Sequence, residues 1–166
     1  EIKDSIAASL TVSASLNQLT FQQVIECRHE MVAMCCRLAA LHRSDDDLAL
    51  MRKEIGHQRN PDITDVDFCA SDVRFHCAIA AATKNPIVAS STSGVLEGLE
   101  PITNLLLFRF RDRKIIAAQH AEMMRCIAAE DGEVAVAALT EQVAYVKDKH
   151  GDAKRYRRKR DSLKRA

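Results

Sequence analysis

Residues 72–86 read DVRFHCAIAAATKNP. Phe75 and Ile79 are four apart, and Phe68 precedes Phe75 by two turns, the rhythm of a helix with one buried stripe. Asp72 and His76, also four apart, fall on that same inward side. Asn85-Pro86 supplies an N-cap and a proline for the first helical position, so the spacing predicts a second helix beginning there.

Outward from this stretch the periodicity stays helical. From Phe21 to His42, Phe21, Ile25, Val32, Cys35 and Ala39 keep 3–4 spacing. Ser44 followed by Asp47 reads as a capping box opening a short helix through Leu48, Met51 and Ile55, stopped by Gly56, with a break at Asn60-Pro61. Gly94, Gly98 and Pro101 predict an irregular or kinked stretch. Helical pattern resumes to about Arg113, and again from Lys114 to Glu130. Asp131-Gly132 then caps a last helix through Val136, Leu139, Val143 and Val146. The pattern amounts to six or seven helices and no strand.

Composition agrees. Among 166 residues, aromatics are 4%, with 5 Gly, 3 Pro and no Trp, too few turn-formers for a sandwich or barrel. An apolar share of 47% excludes disordered, collagenous and disulfide-scaffold classes. No run approaches the roughly 18 apolar residues of a membrane span. The start, EIKDSIAASL, shows no signal-peptide pattern and no initiator Met, so a cytoplasmic location and a fragment or processed product are expected. Cys27, Cys35, Cys36, Cys69, Cys77 and Cys126 form no C-x-x-C pair and read as small buried hydrophobes. Residues 154–166 hold eight basic residues and one acid, a local +7 that leaves −6 for the body of a chain of net +1. Such a run could touch phosphates, though a terminal charge run is commonly solvated. Two units follow: a helical domain over 1–150 and a basic C-terminal tail over 151–166.

Several residues could carry chemistry. A buried carboxylate must be paired, hydrogen-bonded or bound to a cation, so Asp72 with His76 is either half a metal site or a plain Asp–His hydrogen bond. His120 shares its helix side with Met124, Ile127 and Ala128. Arg28 falls within the Phe21–Ile25–Val32–Cys35 stripe and wants an anion, from a ligand or from Glu26 or another acid. Two E-x-x-H strings, Glu26 to His29 and Glu54 to His57, raise a di-iron carboxylate bundle, but supporting glutamates on two other helices are not evident. No nucleophile elbow or glycine-rich phosphate loop is present.

Together VIECRHEMVAMCCRLAA (24–40), SDDDL (44–48), DVRFHCAIAAATKNP (72–86) and HAEMMRCIAAEDGEVAVAAL (120–139) resemble, in order and spacing, the FCD ligand-sensing domain of FadR-type, GntR-family bacterial transcription regulators. The resemblance implies an all-α antiparallel bundle of six or seven helices around a polar ligand cavity. It also implies a divalent metal, zinc or nickel, held by one Asp and three His, with a small carboxylate effector bound at the metal. Asp72, His76 and His120 match the first three ligands. The fourth position is Gln142, whose neutral carbonyl oxygen is a poorer ligand than imidazole. Either three ligands leave the fourth position to water or effector, or a metal-free cavity binds the effector directly.

Arg28 matches the family's E-x-R arginine, and Asn85, Ser90, Ser91, Ser93 and Arg109 are further candidates to line the pocket. The implied role is effector binding and homodimerisation, not catalysis. DNA would be read by a winged helix-turn-helix domain missing from this chain, not by this domain, and no membrane is involved. The alternatives are a metal-dependent hydrolase on a helical bundle and a metal-free helical interaction module.

Overall fold

The computed structural model describes residues 1–101 and 110–163. Among these residues it contains seven α-helices and no strand: α1 (Ile2–Ser15), α2 (Phe21–His42), α3 (Asp45–Gln58), α4 (Asp65–Ala82), α5 (Pro86–Glu100), α6 (Arg113–Ala128) and α7 (Gly132–Leu163). Local chemistry sets most of their starts. Thr20 with Gln23, and Ser44 with Asp47, form reciprocal capping boxes, and Asp45, Asp46 and Asp47 put negative charge at the positive end of α3. Thr64 accepts from Asp67 N, and Asp112 accepts from Lys114 N. As the sequence predicts, Asn85 caps α5, accepting from the amides of Ile87 and Val88 ahead of Pro86.

Helices α2, α3, α4, α6 and α7 enclose the main core, in which Val32, Cys35, Met51, Phe75, Ile79, Met123, Ile127 and Leu139 pack together. A fully buried aromatic such as Phe75 contributes on the order of 1.5–3 kcal/mol. A smaller cluster of Val24, Val95 and Leu99 sits under Ile6 and Leu10 of α1. Of the cysteines, Cys35, Cys36, Cys69 and Cys126 are buried as expected, Cys77 is half-buried, and Cys27 is exposed instead.

Two glycine expectations fail for physical reasons. Gly56 does not stop α3, which runs on to Gln58. One mid-helix glycine costs only about 1 kcal/mol, less than burying Met51 and Ile55 on the same helix returns. Gly94 and Gly98 do not interrupt α5 either. They let α1 lie against it: a Cβ on Gly94 would sit 2.7 Å from Lys3 O, and one on Gly98 would sit 2.8 Å from Ala7 O.

The helix expected to lead into Arg113 falls mostly outside the described residues, and Asp112 caps a new helix there. Helix α7 passes through residues 150 and 151 without a break, so the basic stretch from Lys154 to Arg160 is helical and exposed. No helix among the described residues is long and apolar enough to cross a membrane.

Candidate metal centre

Four helices deliver polar groups to one buried point. Helix α4 contributes Asp72 and His76 from adjacent turns, α6 contributes His120, α2 Arg28, and α7 Gln142. Asp72 and Gln142 are at most 5% exposed, and both histidines are fully buried. One ligand atom from each of Asp72, His76 and His120 lies within 4.8 Å of the others, the single such cluster among the described residues. The His120 ring stacks on Phe75 at 4.3 Å and meets His76 edge-on at 5.0 Å.

The hydrogen bonds decide which nitrogens are available. His76 Nδ1 lies 2.8 Å from the Asp72 backbone carbonyl, which can only accept, and 3.3 Å from an Arg28 guanidinium nitrogen, which can only donate; the shorter contact favours the ring proton on Nδ1. His76 Nε2 is then an unprotonated, buried nitrogen without a hydrogen-bond partner. His120 Nδ1 lies 2.7 Å from Gln58 Oε1. Its Nε2 approaches Asp72 Oδ1 at 3.2 Å, outside hydrogen-bond alignment. Arg28 donates to Asp72 Oδ2 at 2.9 Å. The carboxylate is therefore divided, one oxygen to a guanidinium and the other beside the His120 imidazole.

Burial pushes the Asp72 carboxyl up, but Arg28 and the two imidazoles outweigh it and hold it well below the usual carboxylate range. Burial, with the Arg28 charge adding, drives His76 down to about 3. Burial likewise lowers His120 against the pull of Asp72. At neutral pH the cluster is one carboxylate beside two neutral imidazoles.

A divalent cation fits this donor set. Each imidazole can keep its proton on an Nδ1 that meets a carbonyl oxygen and leave Nε2 for a cation, the arrangement typical of metal-bound histidine, and His120 Nε2 lies 3.2 Å from the Asp72 carboxylate. An unsatisfied buried nitrogen costs on the order of 1–3 kcal/mol, and a cation would remove that cost at His76 Nε2. Gln142 lines the same cleft with Arg28, Asp72, Arg111 and Ile116, where the free volume is about 20 Å³, little more than one water.

Other expected residues are not drawn in. Asn85 is exposed and spends its side chain on the α5 cap, and neither it nor Ser90 lines this cleft. Arg109 lies outside the described residues. His29 contacts Glu30 and Thr140, and His57 contacts Glu54, so neither E-x-x-H string joins the cluster. His150 stacks on Phe21 at 3.6 Å.

Three residues enter that the sequence reading missed. Arg111 lines the cleft while donating to Cys69 Sγ at 3.4 Å. Gln58 and Ser71 stand behind His120. Ser71 adjoins Asp72 in the chain, which was its one available signal; Gln58 was hidden by the expected stop at Gly56.

The order of these groups along the chain, on this arrangement of helices, has a counterpart among known domains. The FCD domain family matches residues 23–144. The chain belongs to the FCD domain family. As an FCD domain it shares its all-α fold with E. coli McbR/YncC, a GntR-family regulator. The TM-score is 0.63 at 16% identity, over 83% of this chain and 67% of that one. No curated protein matches the chain. The family and the shared fold support an effector-binding domain of a transcription regulator.

Proposed function

We propose that this FCD domain senses a small carboxylate at a divalent metal ion and passes the event on as a change in how its dimer presents DNA-reading domains. Asp72, His76 and His120 would hold the metal, with Gln142 a fourth, weaker oxygen donor or the neighbour of an open position. The observation that carries the reading is the buried His76 Nε2, which has no hydrogen-bond partner, on a residue that clusters with Asp72 and His120. When bound, the ion supplies a Lewis-acidic positive charge that a carboxylate could ligate.

Arg28 spends its charge on Asp72, so its part is to neutralise that carboxylate and orient it. Arg111 adds a second guanidinium to the cleft wall. With a divalent ion present, the charges of the ion, Arg28 and Arg111 exceed those of the Asp72 and Glu100 carboxylates, which favours an anionic effector. The cleft has little free volume, so an effector binds by moving its walls apart, and only an effector that binds one arrangement more tightly shifts the dimer. This is the work of a cytoplasmic regulator; turnover of a substrate is no part of it.

The test is elemental analysis of the purified chain, followed by a thermal-shift screen of small carboxylic acids with and without chelator. Bound metal, and acids that raise Tm only when metal is present, support the reading. Indifference to chelator and to every acid overturns it.

A further inference from the structure

Behind His120 runs a continuous buried chain of hydrogen bonds that ends at the surface. Gln58 joins His120 Nδ1 to Ser71: its Oε1 lies 2.7 Å from Nδ1, and its Nε2 donates to Ser71 Oγ at 3.2 Å. Ser71 Oγ lies 2.8 Å from Glu54 Oε2 and 3.2 Å from the Glu54 backbone carbonyl. Arg74 donates to both Glu54 carboxylate oxygens, at 3.1 and 3.0 Å.

This chain has a direction that can be worked out from donor counts alone. Both Glu54 oxygens near Ser71 can only accept, so the single hydroxyl proton of Ser71 goes to Glu54. Toward Gln58, Ser71 must therefore accept, which turns the amide NH2 to Ser71 and the amide oxygen to His120. That oxygen in turn needs a proton on His120 Nδ1. A flipped Gln58 would force Ser71 to donate twice with one hydrogen, or leave lone pairs facing each other in a fully buried site.

We propose that Gln58 and Ser71 are positioning residues which, anchored on Glu54 and Arg74, lock His120 in the tautomer that turns an unprotonated Nε2 toward Asp72. Without that direction, His120 could move its proton to Nε2 and, after a small turn of the ring, donate to Asp72 Oδ1, 3.2 Å away. That tautomer cannot ligate a metal through Nε2. The relay thus withholds a hydrogen bond from the carboxylate and keeps a donor nitrogen for a cation. Its effect on metal affinity rests on the metal reading above, whereas the tautomer itself does not.

The experiment reads the tautomer directly, by long-range proton–nitrogen NMR of histidine-labelled, metal-free protein at pH 8. The wild type is expected to show His120 protonated on Nδ1. Gln58→Met, which removes the acceptor at similar volume, is expected to move the proton to Nε2 and to weaken binding of Zn²⁺ alone about 10- to 100-fold. Gln58→Glu, which keeps an acceptor, is expected to retain the Nδ1 proton. Should Gln58→Met fail to fold, Ser71→Ala removes the directing hydroxyl with little loss of volume and is expected to give mixed tautomers. A wild-type His120 protonated on Nε2, or a tautomer unchanged in both Gln58→Met and Ser71→Ala, overturns the proposal. A wild type that shows the Nδ1 proton yet binds no Zn²⁺ upholds the relay and removes only the metal reading.

Discussion

Arg28 and Asp72, 44 residues apart on α2 and α4, form a nearly buried ion pair with Arg28 NH2 2.9 Å from Asp72 Oδ2. The carboxylate side chain is 3% exposed, so Arg28 is its main neutralising charge in the absence of a metal. Arg28→Met keeps the aliphatic stem and strands the carboxylate. The expected loss in unfolding free energy is about 3 kcal/mol for metal-free protein, because breaking a buried pair leaves one charge unpaired. Added Zn²⁺ should recover part of it by binding only the folded state. Denaturant titrations with and without zinc check this, and an unchanged midpoint in metal-free Arg28→Met would refute it.

The same cluster sets an acid limit on the fold. His76 is held near 3 when folded, against about 6.5 for an unperturbed histidine, so between those values the unfolded chain binds more protons. Stability is therefore full above about pH 6.5 and declines as pH falls through the window. The slope is up to about 1.4 kcal/mol per pH unit for this one residue. Asp72, lowered on folding, adds loss in the same direction below about pH 4. Thermal melts from pH 8 to 4 should fall steadily below 6.5. In His76→Gln the decline should be shallower; an identical pH profile would count against the assignment.

Helix α1 depends on two missing side chains. Gly94→Ala and Gly98→Ala would each drive a Cβ into the backbone of α1, whereas a Cβ on Gly56 meets nothing within 4 Å. The first two substitutions should loosen α1, raising its amide hydrogen exchange selectively. Gly56→Ala, on an exposed helix position, should instead stabilise the fold by about 0.5–1 kcal/mol. Equal effects at positions 56 and 94 would contradict this account of the helix contact.

Gln142 is the departure from the ligand pattern that the family resemblance implies, and it lines the cleft. Gln142→His should tighten Zn²⁺ binding at least tenfold, about 1.4 kcal/mol, because imidazole replaces a neutral amide oxygen. Competition titration against a zinc indicator measures it. Unchanged affinity would mean that position 142 stays outside the coordination sphere.

What could be read from the chain alone was local. The Ser44–Asp47 box and the Asn85-Pro86 start need only neighbours within four residues, and both form as expected. Asp72, His76 and His120 come together because helical spacing and family order constrained them. The reading failed where a distant backbone decides the outcome. Nothing near Gly94 reveals that Lys3 and Ile6 will pack on it. The partner of Arg28, open in the sequence between a ligand and Glu26 or another acid, is an acid 44 positions away. Gln58 lies in the last turn of α3, beyond a glycine that reads as a stop, and only the packing around it keeps that turn helical.

Helix α7 also has a mechanical side. It carries Gln142 in the cleft wall and continues unbroken to Leu163, about 30 Å further along the axis at 1.5 Å per residue. Such a helix is a lever arm whose base lies beside the Asp72–His76–His120 cluster and which is held again where His150 stacks on Phe21. A tilt of about 5° over the whole length from Gln142 would sweep its cationic tip by about 3 Å, close to the length of a hydrogen bond. A displacement at Gln142 too small to disturb the core around Leu139 would thus be magnified where Arg157 and Arg158 stand in solvent.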